Sequence, residues 1–407
     1  ENKGDAPFRR LRAWTSAEKN PLLDRREFIF GTVRPGERRS WTVPVRMPRS
    51  LDSRRDEVTL RLEDDSGRSI PEVATSVGAV EIPKPQFAFS VQVDDAAGGN
   101  GDGLAQRGET FAFRVDVRNA GSGPSGRKTY VALRSLGDDK LFVKKGREVI
   151  GTLKPGEAKT ARLEVELRKG SHAENVPFRL AIVDEKTDEY LVDKIEWPVA
   201  KDAAPRSPAS GAVRLDADVA IHGGASATSP AVASAKKGAV LPVDARFGDE
   251  YRVEWQKGRF GFVPAAQAKP VKAPRAGAVA IAWQREPPRI ALSPDPAKGA
   301  PVVEGDTMKL SGSATVPASA DDATRLRDVF IYVNDQKVFF RVVPDEKAST
   351  RLDFQADLPL KPGQNTVTVV AREDEEFQTR RSLVVFRRAP PAVAQDGSRE
   401  PPRSQPQ

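Results

Sequence analysis

Between Val93 and Phe111 the chain reads VDDAAGGNGDGLAQRGETF, which sets Asp94, Asp95, Asn100, Asp102 and Glu109 close together among glycines. Carboxylates and a side-chain amide at such spacing are the ligands a hard divalent cation takes. The EF-hand template D-x-[DN]-x-[DN]-G-x5-E fits with Gly103 in sixth place, which puts Asn100 third, Asp102 fifth and Glu109 twelfth. The first place then falls on Gly98, which has no carboxylate, so Asp95 or Asp94 would have to reach in through a different geometry. The flanks alternate as strands do, and Gly-Asn-Gly-Asp-Gly equally suits a tight turn that needs positive φ. We read the loop first as a turn between strands. The alternative is a calcium site of Asp95, Asn100, Asp102 and Glu109, and no other cofactor is expected.

A second group of candidates is aromatic. The stretch YRVEWQKGRFGF supplies Tyr251, Trp255, Phe260 and Phe262. Exposed rings on a small barrel can grip a peptide or a cell-wall stem by apolar contact. The same rings can instead fill the core of a barrel of about 60 residues, where aromatics supply much of the buried area. Tyr251, Trp255 and Phe260 are the ligand-binding candidates. Trp255 is expected to be exposed, since otherwise Tyr251, Val253 and Trp255 would form one wholly buried face.

Little else suggests catalysis. There is no G-x-S-x-G elbow and no P-loop. The absence of cysteine removes disulfides, thiolate zinc sites and thiol nucleophiles. The two histidines, His172 and His222, sit in polar stretches containing Gly or Ser and read as loop residues. The pairs Asp64–Asp65 and Asp321–Asp322 lie in turn-like runs and read as solvated charges. No catalytic residue is expected. The net charge of +8 comes from 65 basic and 57 acidic residues of interleaved sign, so no basic stripe for nucleic acid is apparent. No run approaches the roughly 18 apolar residues of a membrane span.

The elements that must position these residues are strands. SWTVPVRM, EVTLRLED, FAFSVQVDD, TFAFRVDVRN, ARLEVELRK, VFIYVNDQKVFF and NTVTVVARED all alternate apolar with polar, and their breaks are rich in Gly, Pro, Asp and Asn. This is the pattern of half-buried antiparallel strands in sandwiches or barrels. The expected fold is all-β. An internal repeat organises its first half. ENKGDAP at 1–7 matches RNAGSGP at 118–124, aligning Asn2 with Asn119. FGTVRPGERRSWTVPV from Phe30 matches IGTLKPGEAKTARLEV from Ile150, aligning Pro35-Gly36-Glu37 with Pro155-Gly156-Glu157. A weaker echo is LPLKPGQNTVTVV at 358–370. The Pro-Gly pair predicts a type II turn, with Pro fixing φ and Gly supplying φ > 0. The second copy is preceded by two strands, at 87–117, that the first copy lacks. The first copy's opening strands are expected to lie upstream of Glu1.

Residues 84–200, carrying DDAAGGNGDGLAQRGETFAFRVDVRNAGSGPSG and GTLKPGEAKT, resemble the bacterial adhesion-type immunoglobulin-like domains called CARDB, and residues 1–83 resemble a truncated one. Residues 211–269, carrying KKGAVLPVDARFGDEYRVEWQKGRFGFVPAAQ, resemble a bacterial SH3 domain. Residues 288–388, with a hairpin expected around Asn334 and Asp335, resemble immunoglobulin-like modules of bacterial surface enzymes. The Pro/Ala stretches 201–210 and 270–287 read as linkers, and 389–407 as a disordered tail. The module order resembles the non-catalytic C-terminal region of exported bacterial serine peptidases of the carboxyl-terminal processing type. That resemblance implies a PDZ domain and a Ser/Lys catalytic unit before Glu1, a location in the periplasm or on the outer surface of a Gram-negative cell, and protein, peptide or cell-wall peptide partners. The alternatives are a surface adhesin or periplasmic scaffold with no enzymatic domain, a calcium-tuned module, and an enzyme within these residues.

Overall fold

The computed structural model describes residues 1–388 apart from 18–19, 67–69, 138–139, 318–325, 335 and 344–348. The tail from 389, the Asp321–Asp322 pair and Asp335 of the expected hairpin lie outside the described residues. Apart from two short 3-10 turns, Ala265–Gln267 and Pro296–Lys298, every described element is a β-strand, as the alternation predicts.

The second unit is a sandwich. One sheet runs Arg147–Val149, Tyr130–Ser135, Asn175–Asp184, Glu189–Ala200, Ala105–Gln106, and the other Phe87–Asp94, Glu109–Asn119, Ala158–Leu167, Leu141–Lys145. Its core joins the two sheets edge-to-face. The Phe113 ring lies 4.8 Å from that of Phe178 and 5.3 Å from that of Trp197.

The first unit is one four-stranded sheet, in the order Glu27–Val33, Phe8–Ser16, Arg54–Glu63, Val73–Ala79. The sequence repeat holds atom by atom. Asn2 Nδ2 donates to Ala6 O at 2.9 Å and Val33 O at 3.0 Å, and Asn119 Nδ2 donates to Gly123 O at 2.8 Å and Leu153 O at 3.0 Å. Glu37 Oε2 accepts from Arg34 N, as Glu157 Oε2 does from Lys154 N, both at 2.9 Å. Gly36 and Gly156 take φ of 76° and 79°, as the type II turn requires. One expectation fails here. SWTVPVRM forms no strand, whereas its match Ala158–Leu167 pairs on both sides with Glu109–Asn119 and Leu141–Lys145. A strand needs a hydrogen-bonding neighbour, and no described strand pairs with 40–47, although Val45 packs against Ala17, Leu23 and Val58.

The middle unit is a single eight-stranded sheet wrapped around one core. Val213, Leu215, Ala233, Val253, Trp255 and Ala268 share that core although they come from both ends of the sheet. Neither Pro/Ala stretch is a simple linker. Arg206–Leu215 begins inside the first and pairs with Val240–Phe247, and Val279–Ile281 lies inside the second and pairs with Ala231–Ala235. Pro208 is tolerated because the outer neighbour Ala268–Val271 pairs only with residues 212–215, so no ladder bond is lost at 208. The third unit is a sandwich of a three-stranded and a five-stranded sheet. The expected hairpin is formed by Asp328–Val333 and Gln336–Val342, with Asn334 at φ 48°.

Candidate functional site

The strand Phe87–Asp94 reads as half-buried, yet every residue but the last is buried. Its polar positions Ser90 and Gln92 are covered because the rest of the chain folds onto its outer face and free edge. Gln92 Nε2 donates to Phe260 O at 2.7 Å in the middle unit. Along the edge, Arg285 N donates to Phe89 O and Phe89 N to Arg285 O. The Gln284 side-chain amide continues the ladder. Its Oε1 accepts from Val91 N at 2.8 Å and its Nε2 donates to Val91 O at 2.9 Å. A short piece of the 270–287 stretch thus acts as a fifth strand.

The 93–111 loop belongs to the same joint. The structure does bring Asp95, Asn100, Asp102 and Glu109 together, but mostly around N–H donors. Asp95 accepts from Gly101 N at 2.8 Å and Gly103 N at 3.0 Å. Asp102 Oδ2 accepts from Asn100 Nδ2 at 3.0 Å, Gln106 Nε2 at 2.7 Å and Ala204 N at 3.0 Å. Asp102 is fully buried, and it reaches the start of the middle unit through Ala204. The Glu109 carboxyl is pushed up to about 7 by burial first and then by the Asp95 and Asp102 charges, while backbone bonds from Asn100 and Gln106 oppose the rise. Among the described residues no group of three or more His, Cys, Asp or Glu side chains is arranged to hold a metal ion. A cation would have to displace the N–H groups that hold these oxygens.

The glycines serve docking. Gly103 takes φ of 70°, and a β-carbon there would overlap Gly223 O of the middle unit. A β-carbon on Gly224 would likewise come within 2.6 Å of Gly103 O. Ala225 N donates to Asp102 O at 2.8 Å. Two backbones meet here with no side chain between them. The signal in the sequence was the pairing of GNGDG with the distant Gly223-Gly224, which inspection of either loop alone does not show.

The barrel aromatics do not form one exposed platform. Trp255 is buried rather than exposed, with a relative accessibility of 2%. The reason is the regular alternation of Glu250–Gln256, which puts Val253 and Trp255 on the same inner face. Trp255 Nε1 donates to Phe260 O at 3.2 Å. Phe260 is half-buried at the joint under the Arg252 guanidinium, 4.3 Å from its ring. Tyr251 is half-buried against the same core as Trp255. Phe262 is buried, edge-to-face with Phe247 at 5.7 Å.

Two charged contacts lock the arrangement. Arg259 of the middle unit pairs with Asp116 of the second sandwich, both buried, and Asp116 also accepts from Thr160 Oγ1 at 2.5 Å. Desolvation pulls the Arg259 pKa down to about 10, with Arg114 adding to the effect. Arg285 gathers carboxylates from two sandwiches. It meets Glu373 Oε1 at 2.5 Å, Asp374 Oδ2 at 2.6 Å and Asp193 Oδ2 at 3.5 Å, and its guanidinium lies 3.9 Å from the Phe377 ring. Burial lifts Asp193 to about 6 and Glu373 to about 7 against the pull of Arg285. Phe377 belongs to the third unit, yet it packs into the second sandwich's core, 6.2 Å from Phe89. None of these residues was singled out from sequence. Their partners lie far apart in the chain, and their types are ordinary for surface loops.

No protein-family model and no curated protein sequence matches the chain. Among solved structures, it is similar to the secreted serine protease VesC from Vibrio cholerae, at 11% identity and a TM-score of 0.19, over 73% of this chain and 50% of that one. It is also similar to dimeric latent PorU from Porphyromonas gingivalis, at 11% identity and a TM-score of 0.17, over 94% of this chain and 30% of that one. The chain thus spans half the length of the first and under a third of the second. A likeness this low is no guide to activity. No helix among the described residues is long and apolar enough to cross a membrane, which leaves β-barrel spans unaddressed.

Proposed function

We propose that this chain is a non-catalytic accessory region of a larger exported bacterial protein, a serine peptidase, and that it holds a catalytic unit in a fixed position at the cell envelope. The observation that carries this reading is the convergence of three β units on the strand Phe87–Asp94. Cross-unit bonds at Gln92, Gln284 and Arg285 and the buried Arg259–Asp116 pair join them. Separate domains on flexible linkers would not require buried polar contacts of this kind, whereas a rigid spacer does. The domains resemble CARDB, SH3-like and immunoglobulin-like modules, which fits a spacer that also contacts protein, peptide or cell-wall peptide. Tyr251 and Phe260, both half-buried, are the barrel rings still partly open to such a contact.

The test is the intact mass and peptide map of the native protein from its own cells, followed by peptidase assays with and without residues 1–388. A Ser/Lys peptidase segment whose processing of a folded substrate drops when these modules are removed supports the reading. Further β repeats in place of a peptidase would sink it and leave a surface adhesin or scaffold.

A further inference from the structure

A cleft of about 1160 Å³ separates the first unit from the third sandwich. Its floor is the outer face of the five-stranded sheet, and its wall is the strand Arg54–Glu63 with the loop before it. The two sides meet at the backbone of Gly363, where a β-carbon would lie 2.7 Å from Arg55 Nη1. The lining carries six basic side chains against three acidic ones. Two of the acids are already neutralised, Asp52 by Lys84 and Glu375 by Arg327 and Arg372. Glu57 is the third. Three of the cations, Arg55, Lys361 and Arg380, make no direct ion pair among the described residues, and Arg380 feels only the more distant charge of Glu189. The Tyr332 hydroxyl and the side-chain amides of Gln364 and Gln378 likewise have no hydrogen-bond partner among the described residues.

We propose that this cleft binds an extended acidic polysaccharide. Unpaired guanidinium and ammonium groups offer charge-assisted hydrogen bonds to carboxylate or sulfate groups. Amides and a phenol on the cleft floor suit the alternating hydroxyls of a sugar chain, and the Tyr332 ring offers an apolar face for the sugar C–H surface. A cleft this large, polar and open accommodates several residues of a polymer better than one small apolar ligand. The charge pattern was invisible in the sequence because the cations come from segments some 300 residues apart, each locally mixed in sign. The inference stands whether or not a peptidase accompanies these modules.

The test is calorimetric titration of the full chain with a defined oligogalacturonate at low and at physiological ionic strength. Binding should weaken with salt. The triple variant Arg55→Gln/Lys361→Gln/Arg380→Gln should lose at least tenfold in affinity while keeping its melting temperature. An equal charge change elsewhere, Lys154→Gln/Lys257→Gln/Lys272→Gln, should change affinity less than twofold. Equal losses in the two triples would mean diffuse attraction to a basic protein and overturn the proposal. So would equally tight binding of neutral maltotetraose, or no binding at all. Tighter, cleft-dependent binding of a single-stranded oligonucleotide would replace the polysaccharide by a nucleic acid.

Discussion

The two copies of the repeat share a turn, an asparagine bridge and a strand order, yet one has a closed core and the other an open face. In the second copy Ala161, Leu163, Val165 and Leu167 are all fully buried. The matched residues of the first copy are Trp41, Val43, Val45 and Met47. Trp41 has half its surface exposed and Met47 38%, while Val43 and Val45 are only half-buried. The same split runs through the sheet itself. Leu180 and Ile182 are sealed, but their counterparts Leu60 and Leu62 are not. Local hydrogen bonding therefore builds the turn and bridge in both copies, and burial depends on the second sheet, which only one copy has among the described residues. Apolar alternation records which face a strand offers, and a neighbour decides whether that face is covered.

The largest expected effect tests this split directly. Leu163→Ala should cost between about 2 and 5 kcal/mol, as for a well-packed core leucine, while Val43→Ala at the matched position should cost less than about 0.5 kcal/mol. Denaturant unfolding of both variants measures the difference, and similar costs would break the comparison. Next comes the joint that only the second copy has. Asp116→Asn leaves the buried Arg259 without its counter-charge and should destabilise by about 2 kcal/mol, with the middle unit melting first in calorimetry.

A smaller effect is the pH dependence. Glu109 and Glu373 sit near 7 and Asp193 near 6, all three raised by burial in the second sandwich or its joints. Each holds a proton in the fold that it gives up on unfolding, so its stabilisation is present at low pH and is lost as pH rises through 6 to 7. The lowered carboxyls Asp184 and Asp374 have finished titrating below that window. Tm should fall by a few degrees from pH 5 to pH 8, and Glu373→Gln should flatten the profile. A Tm that rises over this range would refute the assignment of burial as the cause. The smallest effect is where the copies agree. Gly36 and Gly156 both have positive φ and nothing within 4 Å of a β-carbon. Replacing either by Ala should cost the same amount, about 1 kcal/mol. Unequal costs would show that the shared turn is not shared energetically. Finally, Asp102→Ala should lower Tm equally with and without added calcium, because its oxygens serve N–H groups of the loop and of Ala204. A calcium-dependent difference would restore the metal reading of the 93–111 loop.

The all-β class, the repeat and its Pro-Gly turns were legible because they rest on neighbours a few residues apart. The burial of Trp255 was misread, although simple alternation through Tyr251 and Val253 gave the right face. The joint was not legible. Gln284 mimicking a strand partner, Arg285 collecting three carboxylates and Gly103 meeting Gly223 all depend on pairs separated by more than 70 residues. No local pattern encodes such pairs. The buried Ser90 and Gln92 were the one local hint, since polar residues on an otherwise apolar strand fit equally well beneath a second layer.

The seating of Phe377 in the second sandwich's core bears on the order in which the molecule is made. Phe89 leaves the ribosome some 290 residues ahead of its ring partner Phe377. At ordinary translation speeds that interval is between about a quarter of a minute and a minute. For about the first two thirds of that interval the strand Phe87–Asp94 lacks its Gln284–Arg285 edge, and throughout it lacks its aromatic plug. It is then a bare, apolar template for pairing with a neighbouring nascent chain. The nascent polypeptide therefore has a defined window in which a holdase chaperone would matter most.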